Sequence, residues 1–221
     1  MKSSVSILKD IRVVGLDFDD TLVDEQYSVR KRWQEVLTEY SYLSDHLAET
    51  FFVIYEKRGS AYKFHVNDTL RELGINEEIT KGIVEKFLLT NCDELLLPGA
   101  IELVKLLKKK NIIVGIITDG KQSYQEGRIK RAGIYNYMDF IYYGSGRKDQ
   151  KPAVGVLDDC ISRFSLKSPG EILYIGNDYV NDIIGMSRAG LKTCLVGDSK
   201  SIPETPDLIK VKNLRELLNI F

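Results

Sequence analysis

The chain has 221 residues, a formal net charge of -1 and 43% hydrophobic residues, enough for one sizeable core and a small second domain. The even charge balance argues against a nucleic-acid or membrane-surface partner. No apolar run reaches bilayer length and no secretory signal is read, so membrane residence and export are not expected. Cys92, Cys160 and Cys194 are scattered and match neither a zinc spacing nor a disulfide framework, which leaves cytoplasmic residence as the expectation.

In chain order, Val13 to Leu16 is an apolar strand that runs straight into Asp17, Asp19, Asp20, Asp24 and Glu25. Asp20 reads as a turn former, and Asp24 with Glu25 as a hinge and helix start. From Tyr27 to Thr90 no strand pattern stands out. Trp33, Val36, Leu37 and Tyr40 share one helical face, Leu47, Phe51, Ile54 and Tyr55 another, and Ile83, Phe87 and Leu88 a third. These stripes suit the core of a helical insertion better than a cofactor box. Its expected bounds are 24–96, between core segments 1–23 and 97–221. His46 and His65 fall inside it and suit capping or surface roles.

Beyond the insertion, Ile101, Val104 and Leu107 share a helix face that ends in the solvated run Lys108 to Lys110. Strands follow at Ile112 to Ile117 and Phe140 to Tyr143. The run from Gly144 to Lys148 reads as a turn, since it lacks P-loop spacing. Pro152 suits the first turn of a helix running toward Phe164. A strand at Ile172 to Ile175, a helix from Asn181 to Ala189 closed by Gly190, a strand at Thr193 to Val196 and a terminal helix from Asn213 to Ile220 complete the pattern. Alternating strands and helices predict an α/β fold with a doubly wound, mainly parallel sheet. The uniformly apolar strands predict cover on both faces.

Ligands of such sheets bind beyond the carboxyl ends of the strands. Those ends deliver Asp17 and Asp19, then Thr118, Asp119 and Gly120, then Lys151, then Asn177, Asp178 and Asp182. Two like charges about 4 Å apart repel by roughly 4 kcal/mol at an effective dielectric near 20, so gathered aspartates call for a neutralising cation. Oxygen ligands suit Mg²⁺. A lysine, a threonine hydroxyl and backbone amides suit phosphate oxygens. One carboxylate could then attack phosphorus while a second, two residues on, supplies a proton.

The sequence here resembles the haloacid dehalogenase superfamily, in its phosphatase branch with a helical (C1-type) cap. The motifs are Asp17-Phe18-Asp19-Asp20-Thr21 after a strand, Thr118 at the end of IIVGIITDG, Lys151-Pro152, and an acidic pair within ILYIGNDYVND. The resemblance covers nearly the whole chain. It implies a Rossmann-like core, an inserted cap that closes over a small phosphorylated metabolite, and Mg²⁺-dependent hydrolysis through an aspartyl-phosphate. Asp17 would be nucleophile and metal ligand, and Asp19 the acid/base with its carbonyl on the metal. Thr118, Asp119 (through its amide) and Lys151 would bind phosphate, and Asp178 and Asp182 would complete the metal site. The fourth motif departs from the commonest form. A spacing of four intervening residues puts Asn177 where an acid is usual, and a spacing of three puts Asp178 there. Asp178 is taken as the ligand, with Asn177 as the neutral alternative. Thr118 could also serve as a helix N-cap, and Lys148 is the nearest substitute for Lys151. A phosphomutase on the same core remains an alternative. Dehalogenation is disfavoured because Asp19 stands where that motif resembles a Tyr. A phospho-acceptor switch is disfavoured by the inserted helices.

Overall fold

The computed structural model describes residues 8–43, 46–59, 62–144, 151, 154–197, 202 and 208–221. They form two compact units, 1–24 with 96–221, and 25–95. No helix among the described residues is long and apolar enough to cross a membrane.

The first unit is built on a six-stranded sheet. Its strands are β1 (Val13–Leu16), β2 (Ile113–Thr118), β3 (Phe140–Tyr143), β4 (Ile172–Gly176), β5 (Lys192–Val196) and β6 (Leu208–Val211), in the order β3-β2-β1-β4-β5-β6. Every pairing is parallel, so each connection must cross over the sheet. β1 sits near the middle, between β2 and β4, and all four of its residues are buried.

Alternate strand residues face opposite sides, and the two faces are covered separately. Val14, Leu16, Val114, Ile116, Leu173 and Ile175 pack in one cluster with Leu103, Val104 and Leu107 of the helix Ala100–Lys109. Val13, Ile117, Phe140, Ile172 and Tyr174 pack in another with Leu157 and Cys160 of the helix Val154–Arg163. This is the doubly wound, parallel arrangement expected.

Several elements differ from expectation. β6 was not foreseen; it is an edge strand with only Ile209 and Val211 buried. The helix Gln122–Arg131 was not foreseen either, because its buried positions include Gln125 and Arg128. The stretch after β4 is a π-helical Tyr179–Gly185 before a short α-turn, Met186–Arg188. The terminal helix is a 3₁₀ segment, Leu214–Asn219, with Asn213 accepting from Arg215 N at its start. Lys108 is more than a solvated terminus, since its ammonium donates to both oxygens of Asp139. Pro152 and the positions from 145 to 148, Lys148 included, lie outside the described residues.

The second unit contains four helices, α1 (Glu25–Glu39), α2 (Leu47–Arg58), α3 (His65–Glu72) and α4 (Glu77–Leu89), among its described residues. Continuing in chain order, the first unit's helices are α5 (Ala100–Lys109), α6 (Gln122–Arg131) and α7 (Val154–Arg163). Val29, Trp33, Val36, Leu47, Phe51, Ile83 and Phe87 form a separate core for the second unit, with Trp33 and Phe87 ring centroids 4.6 Å apart. The aromatic stripes therefore do what amphipathic helices do, and Leu88 is the exposed exception. His65 is buried, against the expectation, among Phe51, Tyr55 and Tyr62. Buried Arg32 pairs with Glu25 at 3.4 Å and Glu94 at 3.3 Å, tying the entry and exit segments of this unit together.

The sheet makes one glycine position exacting. Gly115 of β2 lies opposite Phe140, and a Cβ there would fall 2.4 Å from the ring. Gly155 of α7 has open space around it. Gly115→Ala should lose about 1–3 kcal/mol by overpacking, while Gly155→Ala should gain up to about 1 kcal/mol. Urea unfolding of both variants checks the contrast.

Candidate active site

Leu16 pairs with both Ile116 and Ile175, and Asp17 N donates to Ile175 O at 2.9 Å. The residue leaving β1 is thereby held against the end of β4. Asp17 Oδ1 accepts from Lys151 Nζ at 2.6 Å, and the same ammonium donates to Asp182 Oδ1 at 2.7 Å. All three side chains are buried: Lys151 is 6% exposed, Asp17 10% and Asp182 0%. Lys151 Nζ also lies 5.6 Å from the centre of the Tyr174 ring, whose hydroxyl is anchored on Ile117 O.

Two buried carboxylates thus share one ammonium, and the local charge is in deficit. Burial pushes the Asp17 carboxyl up to about 8, helped by Asp182 and opposed by Lys151. Burial alone would lower Lys151, but Asp17, Tyr174 and Asp182 hold it well above the usual lysine range. The ammonium keeps its proton, and the Asp17 carboxyl is pushed toward its neutral form.

Asp119 fixes Lys151 from the other side, its Oδ1 accepting from Lys151 N at 2.7 Å. Its side chain therefore has a role apart from the amide expected to meet phosphate. Burial raises the Asp119 carboxyl as well. Thr118 ends β2 with its hydroxyl buried. It is not the N-cap of α6, a position held by Lys121. Thr118 Oγ1 accepts from Gly120 N and from Gln125 Nε2, each at 3.2 Å.

Asp17 and Asp19 would face opposite ways on a continuing strand. The chain turns instead: Leu22 N and Val23 N both donate to Phe18 O, at 2.9 and 3.1 Å, and Asp20 takes a left-handed φ of 54°. Asp20 is the turn former expected. Asp19 is swung toward α6, where Arg128 Nη1 donates to Oδ1 and Gln125 Nε2 to Oδ2, both at 2.6 Å.

The fourth motif divides its work. Asp178 Oδ1 accepts from Val180 N at 2.9 Å and Asn181 N at 3.0 Å, and Oδ2 accepts from Asn181 Nδ2 at 2.8 Å. Burial alone would raise Asp178, but these bonds hold it below the usual carboxylate range. Asp178 N in turn donates to Asp182 Oδ2 at 2.9 Å. Asn177 is the residue brought toward Asp17: Thr21 Oγ1 lies 3.1 Å from Asn177 Oδ1 and 3.4 Å from Asp17 Oδ2. One hydroxyl hydrogen is shared between two oxygens.

No group of three or more His, Cys, Asp or Glu side chains is arranged to hold an ion among the described residues. The donors that do gather around Asp17 include the amide oxygen of Asn177, which lies outside that class of residue. They are all oxygens, the chemistry that suits a hard cation such as Mg²⁺.

Sequence reasoning gave no role to Thr21, Gln125 or Arg128. The signal for the last two was their spacing of three just after Thr118-Asp119-Gly120, which puts both on one helix face.

Comparison with known proteins gives the family and the fold. A family model described as haloacid dehalogenase-like hydrolase matches residues 14–196. The chain belongs to that family. It is therefore a hydrolase, built on the family's Rossmann-like core. Glyceraldehyde 3-phosphate phosphatase of Pyrococcus furiosus is 26% identical, over 84% of this chain and 80% of the relative. N-acylneuraminate-9-phosphatase of Mus musculus is also 26% identical, over 90% and 87%. In fold, the HAD-hydrolase YfnB of Bacillus subtilis, solved bound to magnesium, superposes with a TM-score of 0.74 at 20% identity, over 95% of this chain and 98% of that one.

The charge deficit around Lys151 sets the behaviour of the metal-free protein. A carboxyl raised from the ordinary range to about 8 gives stability that is complete below its unfolded pKa and is lost as pH climbs through the folded one. Asp17→Asn removes that loss and leaves Lys151 matched with Asp182. In EDTA, the melting temperature of Asp17→Asn minus that of wild type should be small near pH 4 and grow as pH rises toward about 8. Thermal melts across that range check it; a difference independent of pH would count against the raised carboxyl.

Proposed function

We propose that this hydrolase is a phosphatase that cleaves small phosphorylated metabolites through an aspartyl-phosphate on Asp17. The observation that carries the reading is a buried carboxylate at a strand end, tied to a lysine ammonium, with a second carboxylate two residues on turned away from that ammonium. The phosphatases among the relatives support the reaction class. They act on unlike substrates, a triose phosphate and an acylated sugar-acid phosphate, which supports a small phosphorylated compound without choosing one.

In this reading an Asp17 oxygen attacks phosphorus as the bond to the leaving oxygen breaks, and Asp19 gives that oxygen its proton. Water then attacks the phosphorus of the aspartyl-phosphate, Asp19 takes the proton back, and phosphate leaves with Asp17 restored. Lys151, the Thr118 hydroxyl and amides near Phe18, Asp19 and Asp119 hold the non-bridging oxygens. Mg²⁺ would be held by Asp17, Asn177 and the Asp19 carbonyl, with Asp182 beside it, and would neutralise phosphoryl charge. Asn177 is preferred to Asp178 because its amide oxygen shares Thr21 with Asp17, whereas the Asp178 carboxylate caps the following turn. Residues 25–95 are assigned as the helical cap. A cytoplasmic setting belongs to the same reading, supported by three free cysteines.

Phosphate release from a panel of phosphorylated metabolites tests this. Turnover should require Mg²⁺, stop with EDTA, and fall at least about a thousandfold in Asp17→Asn, the scale of losing a nucleophile. Asn177→Asp adds a ligand charge and should lower the half-saturating Mg²⁺ concentration. Release that survives both EDTA and Asp17→Asn would overturn the proposal.

A further inference from the structure

The proposed acid/base is held by residues to which no function has been assigned. Asp19 is 27% exposed at its side chain, and both its oxygens are engaged from α6, Oδ1 by Arg128 Nη1 and Oδ2 by Gln125 Nε2, each at 2.6 Å. Gln125 Oε1 accepts from Arg128 Nη1 at 3.0 Å, so the two donors brace one another. Gln125 Nε2 also reaches Thr118 Oγ1 at 3.2 Å.

These donors are themselves immobilised. Arg128 is 1% exposed and Gln125 2%. The Arg128 guanidinium lies 5.2 Å from the centre of the Phe18 ring and 5.3 Å from that of Tyr124, which restrains its plane. Gly120 leaves the space that Gln125 fills, since a Cβ there would stand 2.4 Å from Gln125 Cγ. An arginine and a glutamine on the buried face of a helix carry a desolvation cost that apolar residues there would avoid. One hydrogen bond from each meets the Asp19 carboxylate.

We propose that Gln125 and Arg128 form a positioning clamp for Asp19, fixing where its carboxyl presents the proton to the leaving oxygen and later receives one from water. The clamp acts through Asp19. It rests on the phosphatase reading and goes beyond it, because that reading requires only that Asp19 be present. Positioned proton transfer is worth about 10²–10⁴-fold where the leaving group needs a proton. An alkyl phosphate expels a strongly basic alkoxide and needs it. p-Nitrophenyl phosphate expels a stabilised phenolate and needs it far less. Loss of the clamp therefore has a signature that general damage to the fold lacks.

The test is steady-state kinetics with Mg²⁺ on the best alkyl phosphate of the panel and on p-nitrophenyl phosphate, for wild type, Asp19→Asn, Gln125→Met and Arg128→Met. Both clamp variants should lower kcat for the alkyl substrate by about a hundredfold and for the aryl substrate at least tenfold less, following Asp19→Asn, with KM little changed. Gln125→Met is close in shape and keeps the test open if Arg128→Met fails to fold. Equal losses on the two substrates, or no loss on the alkyl one, would overturn the clamp while leaving the phosphatase reading intact. A wild type inactive on both substrates would overturn that reading and the clamp with it.

Discussion

The ammonium of Lys151, shared between Asp17 and Asp182, is the contact on which the rest of the site depends. Two carboxylates in a dry environment repel strongly, and each loses its hydration. One buried cation offsets part of that. It leaves Asp17 short of a counter-charge, and that shortage makes the position suited to chemistry. A carboxylate fully paired with its own partner would be a poor nucleophile and a poor metal ligand. Asp17 has one oxygen on Lys151 and the other beside Thr21 and Asn177; on the proposed reading, a cation beside the second oxygen would make up the missing charge.

The parallel sheet makes this economical. β1, β2 and β4 are held in register by backbone pairing, so their ends coincide without help from side chains. Residues just past those ends then meet by construction. Lys151 is less directly placed, following β3 in sequence, and its backbone amide is tied to Asp119. The turn after Phe18 does the remaining work: it separates two acids that lie two residues apart and gives them different partners, lysine for Asp17 and arginine with glutamine for Asp19. On the proposed reading that separation divides nucleophile from proton carrier.

Much of this was legible in the sequence, and the reasons are specific. Val13 to Leu16 and Ile172 to Ile175 are apolar on both faces because both faces are covered, and that pattern survives without any knowledge of contacts. The helical insertion was visible because Trp33, Phe51 and Phe87 fall on stripes that bury together. Helix α6 escaped notice for the opposite reason: its inward positions include Gln125 and Arg128, so apolar periodicity had little to report. β6 escaped because only alternate residues of an edge strand are buried. Spacing favours Asp178 over Asn177 because it puts an acid in the motif. The proposed reading prefers Asn177 instead, because Asp178 caps a turn while Asn177 faces Thr21, and a linear pattern carries no hydrogen-bond directions.

The central claim is that the phosphoryl group passes through Asp17, and covalent trapping tests it most directly. Protein quenched during turnover and reduced with borohydride converts an aspartyl-phosphate to homoserine, which peptide mass spectrometry can place. The account predicts homoserine at position 17, dependent on substrate and absent from Asp17→Asn. Substrate-dependent homoserine at Asp19, or unmodified Asp17 in protein trapped while releasing phosphate, would contradict it.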